Sequence, residues 1–189
     1  MNSENQSFAA LPPRERILVA AHDLFYSEGI RATGVDRIID RSSVSKVTFY
    51  RQYASKDELI RAYLDYRHQG WISWFKSSLA QESRDGASAT EALLRTLSGW
   101  LSQAHFRGCA FLNAAAELGS TDPGILEVVR HHKKEMACVL DDLFNSHAFS
   151  VGQSLSLAVD GAIVHVQMGQ PPEDVLGNLK VVVERIVAR

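Results

Sequence analysis

Apolar residues recur at three- and four-residue spacing along nearly the whole chain, and no stretch alternates apolar and polar positions between turn residues. The pattern predicts an all-α fold. Ile17, Ala20, Ala21, Leu24 and Phe25 form the first stripe, opened by Pro12-Pro13 and closed by Gly29, so a helix is expected over about 13–28. Thr33-Gly-Val-Asp36 reads as a capping box that starts a short helix through Arg41, and Ser45 can cap a second one over 46–53. Ser55-Lys-Asp-Glu58 reads as another capping box and opens a long helix that carries Leu59, Ile60, Tyr63 and Leu64 past Trp71, Trp74 and Phe75. A polar loop is expected over 81–87. Ser88-Ala-Thr-Glu91 then caps a helix to about 104, and further helices are expected over about 107–118, 123–145, 151–168 and 172–187, about nine in all.

The chain has 189 residues, room for one large domain or two small ones, and its 46% hydrophobic and 22% charged residues suit a globular fold. No apolar run approaches the roughly 20 residues of a membrane span. The opening MNSENQSFAA has neither the basic nor the apolar region of a secretory leader, so a cytoplasmic location is expected. Two cysteines, Cys109 and Cys138, are too few for a disulfide framework and read as buried thiols. A net charge of −2 argues against polybasic nucleic-acid binding, although residues 1–67 carry +1 and the remainder −3.

Two short helices joined by Ser42-Ser43-Val44 have the length and spacing of a helix-turn-helix. On the second, Phe49 and Tyr53 share a side with Ser45 and suit packing on Ile38 and Phe25. Lys46, Val47, Tyr50 and Arg51 fall outward, supplying charge for phosphates, hydrogen bonds for base edges and a methyl-rich contact for thymine.

Over residues 14–64 the chain resembles the DNA-binding region of the TetR/AcrR family of transcriptional repressors. Ile17, Leu18, Ala20, Ala21, Leu24, Phe25 and Gly29 match the pattern of its first helix; Thr33, Val35 and Ile38 match the second. Val44, Ser45, Thr48, Tyr50, Ser55, Lys56 and Leu59 match the rest. Two departures stand out: Ser43 and Val47 occupy positions where the family usually has glycine. Ser43 lacks a glycine's freedom at positive φ, which implies a different turn or some strain, and Val47 can alter which bases are read. The resemblance implies that Tyr50 and Lys56 bind phosphates with help from Thr33. It also implies that Lys46, Val47, Thr48 and Arg51 approach base edges beside the capping Ser45, and that Arg37 reaches the backbone.

It further implies a tail over 1–12, a DNA-binding domain over 13–67 and an effector-binding and dimerisation domain over 68–189. Trp71, Trp74, Phe75, Trp100, Phe106, Phe111 and Met136, with the polar Cys109 and Asn113, lie in the helices that enclose the effector cavity in relatives and would line a pocket for a small hydrophobic or aromatic molecule. Ser154, Ala158, Gly161, Ala162 and His165 make a small-residue stripe on the penultimate helix, and Leu176, Leu179, Val183 and Ile186 an apolar one on the last. Relatives form their homodimer there, which supplies the two-fold symmetry of a palindromic operator.

Cys109, Asn113 and Glu117 run at four-residue intervals, with His105 ahead of them, but hold too few strong ligands for a metal site; His131 and His132, beside Lys133 and Lys134, read as a solvated basic face. No metal or cofactor is expected. The reading is therefore a ligand-responsive DNA-binding repressor and not an enzyme, with double-stranded DNA, an effector and a second copy as partners and no membrane association. The alternatives are an all-α enzyme using His105 or Cys109, for which no catalytic motif is present, and a helical adaptor that does not bind DNA.

Overall fold

The stripes read from spacing become helices in the computed structural model, which describes residues 8–144 and 150–188. All regular structure among the described residues is helical. In chain order the helices are α1 (Pro13–Glu28), α2 (Val35–Ser42), α3 (Lys46–Gln52), α4 (Lys56–Arg84), α5 (Ala89–Leu101), α6 (Ala110–Leu118), α7 (Pro123–Leu143), α8 (Gly152–Gln167) and α9 (Pro172–Val187). Of the expected tail, residues 1–7 lie outside the described residues, while 8–10 are helical and the Leu11 amide donates to the Phe8 carbonyl. Residue 145, the expected end of α7, also lies outside them.

Helix starts follow the expected chemistry closely. Ser88 and Glu91 form a full capping box on α5, and the Asp122 carboxylate accepts the Gly124 amide at 2.9 Å ahead of Pro123. At α4 the Glu58 amide donates to the Ser55 hydroxyl at 3.1 Å, but the Glu58 carboxylate reaches one residue further back, to the Ala54 amide. One expectation fails: Thr33 caps nothing. Gly34 is the residue ahead of α2, and the Thr33 hydroxyl is buried, donating to the Gly29 carbonyl at 2.8 Å. The chain leaving α1 offered that hydroxyl a closer acceptor than the spacing rule could foresee.

Contacts divide the chain into two compact units, residues 1–67 and 68–189, with the division falling within α4. In the first, α1 packs on α2 and α3 around Ile17, Ala21, Phe25, Ile38, Phe49, Tyr53, Leu59 and Tyr63. In the second, α6 packs on α7, α7 on α8, α8 on α9 and α9 on α5, with Phe75, Leu93, Leu97, Met136, Leu140, Leu155, Val159 and Val183 fully buried.

Candidate nucleic-acid interface

The turn between α2 and α3 is made by a serine in a glycine's conformation. Ser43 has φ 52° and ψ 43°, and is the residue other than glycine with positive φ among those described. This lets the Ser43 and Val44 amides close onto the Asp40 and Ile39 carbonyls at 3.2 and 3.4 Å. Ser45 follows in extended conformation and caps α3, its hydroxyl accepting the Thr48 amide at 3.1 Å and lying 2.9 Å from the Thr48 hydroxyl.

Helix α3 is held by two anchors. Phe49 and Tyr53 are buried; the Tyr53 hydroxyl donates to the Arg14 carbonyl, the Arg14 guanidinium lies 4.3 Å over the Tyr53 ring, and it also donates to the Gln52 carbonyl. Burial pushes the Tyr53 phenol up from its ordinary pKa, against the opposing pull of Arg14. These contacts fix the opposite face toward solvent: Lys46, Val47, Tyr50 and Arg51 are exposed, Val47 to 78% and Tyr50 to 45%. A valine so open has nothing of its own unit to pack against.

The surrounding cations are already engaged. Lys46 lies 3.5 Å from Asp36, Arg37 pairs with Glu28, and Arg41 lies 3.7 Å from Asp23. Asp23 is held below the usual carboxylate range, first by its hydrogen bond with His22. Lys56 donates to the Ile30 carbonyl at 2.6 Å, with its ammonium 5.8 Å from the Phe25 ring. Thr48 is half-buried with its hydroxyl 2.9 Å from that of Ser45, and Thr33 turns inward.

Residues 17–63 match the sequence pattern described as bacterial regulatory proteins, tetR family. Over those residues the chain is similar to that family. A stretch of 66 residues is 36% identical to the transcriptional activator FasR of Mycolicibacterium smegmatis, a match covering 35% of this chain and 30% of FasR. A second relative, an uncharacterized HTH-type transcriptional regulator of Lactococcus lactis, is 26% identical over 156 residues, covering 80% of this chain and 71% of its own. A solved TetR-family transcriptional regulator from Streptomyces coelicolor shares the fold at a TM-score of 0.76 and 29% identity, over 93% of this chain and 94% of that one. Regulators of the TetR family are DNA-binding proteins, not enzymes. No helix among the described residues is long and apolar enough to cross a membrane.

In the second unit most of the expected aromatic pocket residues form one run of ring contacts joined through His132, and the polar ones lie elsewhere. Trp71, Trp74, Phe75, Trp100 and Phe106 form one cluster: Trp71 stacks on Phe75 at 4.6 Å and meets Trp100 at 5.5 Å, while Trp100 meets Phe106 at 5.3 Å. The Trp71 indole nitrogen is buried there without a hydrogen-bond partner; the Thr96 hydroxyl on α5 is also buried and unpaired. His132, on the buried side of α7 with Met136, meets Trp71 at 5.2 Å and stacks face to face on Phe111 at 3.6 Å. Asn113 ties the Arg107 carbonyl to Gln167, and the Cys109 sulfur lies 3.5 Å from the Lys133 ammonium. That ammonium also pairs with Asp160, whose carboxyl burial pushes up despite the nearby positive charge.

Several other readings need correction. His132 is 2% exposed and Lys133 half-buried, so α7 does not present a solvated basic face at these positions. The signal was in the spacing: Ile125, Val129, His132, Met136 and Leu140 form one buried helical stripe. Cys138 is exposed, not buried. On the last two helices, Ala162, Leu179 and Val183 face inward and Ala158, Leu176 and Ile186 are half-buried, whereas Ser154, Gly161 and His165 are exposed. The exposed apolar residues are others: Leu157 at 74%, Met168 at 64%, Val181 at 58%, with Val164 and Val182. Two open grooves run between α8 and α9, one lined by Ala158, His165, Asn178 and Val182 and the other by Ser154, Val181, Arg185 and Ile186.

Proposed function

We propose that the chain is a ligand-responsive repressor that binds a palindromic duplex operator as a homodimer and releases it when a small hydrophobic or aromatic effector binds within residues 68–189. The observation that carries the DNA-reading part is the division of α3 into a buried face, Phe49 and Tyr53, and an exposed one, Lys46, Val47, Tyr50 and Arg51. Tyr50 and Lys56 are assigned to phosphates, Arg51 and Lys46 to base edges, and Val47 to a thymine methyl. The exposed apolar edge of α8 and α9 is assigned to the second copy, because monomeric proteins seldom leave such a stripe to water.

Effector action requires that the ligand bind better to a conformation that does not fit the operator; equal affinity for both would shift nothing. The Trp71–Trp100 cluster is the assigned site, its unsatisfied Trp71 indole N–H suiting a flat ligand with a hydrogen-bond acceptor at its edge. Duplexes selected from a random library, then titrated at several salt concentrations, test the DNA reading. Binding with a steep salt dependence and altered site preference in Arg51→Ala supports it; absence of duplex binding refutes it.

A further inference from the structure

We infer that His68, His131 and Glu135 form a binding site for a divalent transition ion of the zinc class. His131 and Glu135 stand four residues apart on α7, so their side chains share a face, and His68 comes to them from α4. One ligand atom from each lies within 4.8 Å of the other two. His68 Nε2 is 3.1 Å from the Glu135 carboxylate, close to the separation of two ligands on one tetrahedral ion. His131 is exposed and needs only a rotamer change to close the third corner, leaving the fourth to water. Two imidazoles and one carboxylate are borderline donors, suited to zinc, cobalt or nickel rather than to magnesium or calcium.

The surroundings support the inner ligand. His68 is half-buried, and its Nδ1 lies 3.1 Å from Nδ1 of His132, which is fixed between Phe111 and Trp71. That hydrogen bond can run in either direction. When His68 carries its proton on Nδ1 and donates to His132, its Nε2 is left with a lone pair for the ion, and the ring is oriented from behind. Lys76 lies 3.0 Å from the other Glu135 oxygen and is itself over half exposed, so it can swing into water as the ion enters.

The test is titration of the full chain with Zn2+ alone, in competition with a chromogenic chelator. One equivalent should bind. His131→Ala, a change at an exposed position, should weaken binding by about tenfold or more, Glu135→Gln should do the same, and Lys76→Ala should strengthen it. Cys138→Ser should leave binding unchanged, and Co2+ in place of zinc should give visible bands without a thiolate charge-transfer band. Undiminished binding in His131→Ala, loss of binding in Cys138→Ser, or no binding at micromolar Zn2+ would each overturn the assignment. None of these readouts involves DNA, so the site stands or falls apart from the operator and effector proposals.

Discussion

At the residue scale, the left-handed Ser43 is the clearest strain in the DNA-binding unit. A side chain there costs about 1–2 kcal/mol relative to glycine, offset in part by the greater freedom glycine has when unfolded. Ser43→Gly should therefore raise stability by about 0.5–1 kcal/mol, seen as a higher urea midpoint with unchanged slope. Charge gives a second prediction. Asp36 is exposed and sits against Lys46, so Asp36→Asn should free that ammonium, removing a negative charge from the proposed phosphate path. Operator affinity should rise several-fold at low salt and the gain should shrink as salt is added; a gain independent of salt would contradict the electrostatic explanation. The place of the turn was legible because its neighbours keep the family pattern. Thr33 was misread because spacing records which residues can form a capping box, and not whether the hydroxyl has a nearer acceptor.

At the scale of elements, the join between α7 and α8 depends on one carboxylate and one missing side chain. Asp141 accepts the Val151 amide at 2.9 Å, the Gly152 amide at 2.6 Å and the Ser150 hydroxyl, capping the start of α8 from a neighbouring helix. A Cβ on Gly152 would lie 2.1 Å from the Ala137 carbonyl oxygen, a backbone atom that cannot move alone. Gly152→Ala is expected to cost about 1–3 kcal/mol through that overlap. Asp141→Ala should cost about 1 kcal/mol through the lost cap. Desolvation pushes the Asp141 carboxyl up, but the hydrogen bonds from Gly152, Ser150 and Val151 outweigh it and hold the group below its ordinary value. Its ionised form thus favours the folded state at pH above about 4, and that contribution fades as pH falls through the lowered value. The difference between wild type and Asp141→Ala in chemical denaturation should narrow in acid; a constant difference would remove the charge from the explanation. None of this was legible in sequence, since a cap supplied from ten residues upstream leaves no local pattern. Helix α9 was legible as a helix but not in its facing, because Val181, Val182 and Val183 are consecutive and cover more than one side.

At the scale of the whole molecule, Leu157, Gly161 and Val164 on α8 and Met168 at its end fall at helical intervals on one exposed side. Leu157→Glu or Val164→Glu should leave the protomer's thermal unfolding nearly unchanged in midpoint at high dilution, while sedimentation shifts from dimer to monomer and operator affinity falls with it. A Val164→Glu protein that stays dimeric would move the interface elsewhere. Helix-turn-helix and bundle were both legible because local stripes specify them; the grouping of His68 with His131 and Glu135 was not, because nothing local links α4 to α7. One last feature is the brevity of α3. Seven residues are too few to hold a helix in water, so its backbone order derives chiefly from the burial of Phe49 and Tyr53. Its amides have no private route to deuterium: the Phe49 and Tyr53 protons, bonded to the Ser45 and Phe49 carbonyls, should exchange only when the three-helix unit opens, at the rate of the buried turns of α1. The surface that reads DNA is then either present whole or absent whole, and a bound duplex should slow exchange in α1 and α3 by the same factor.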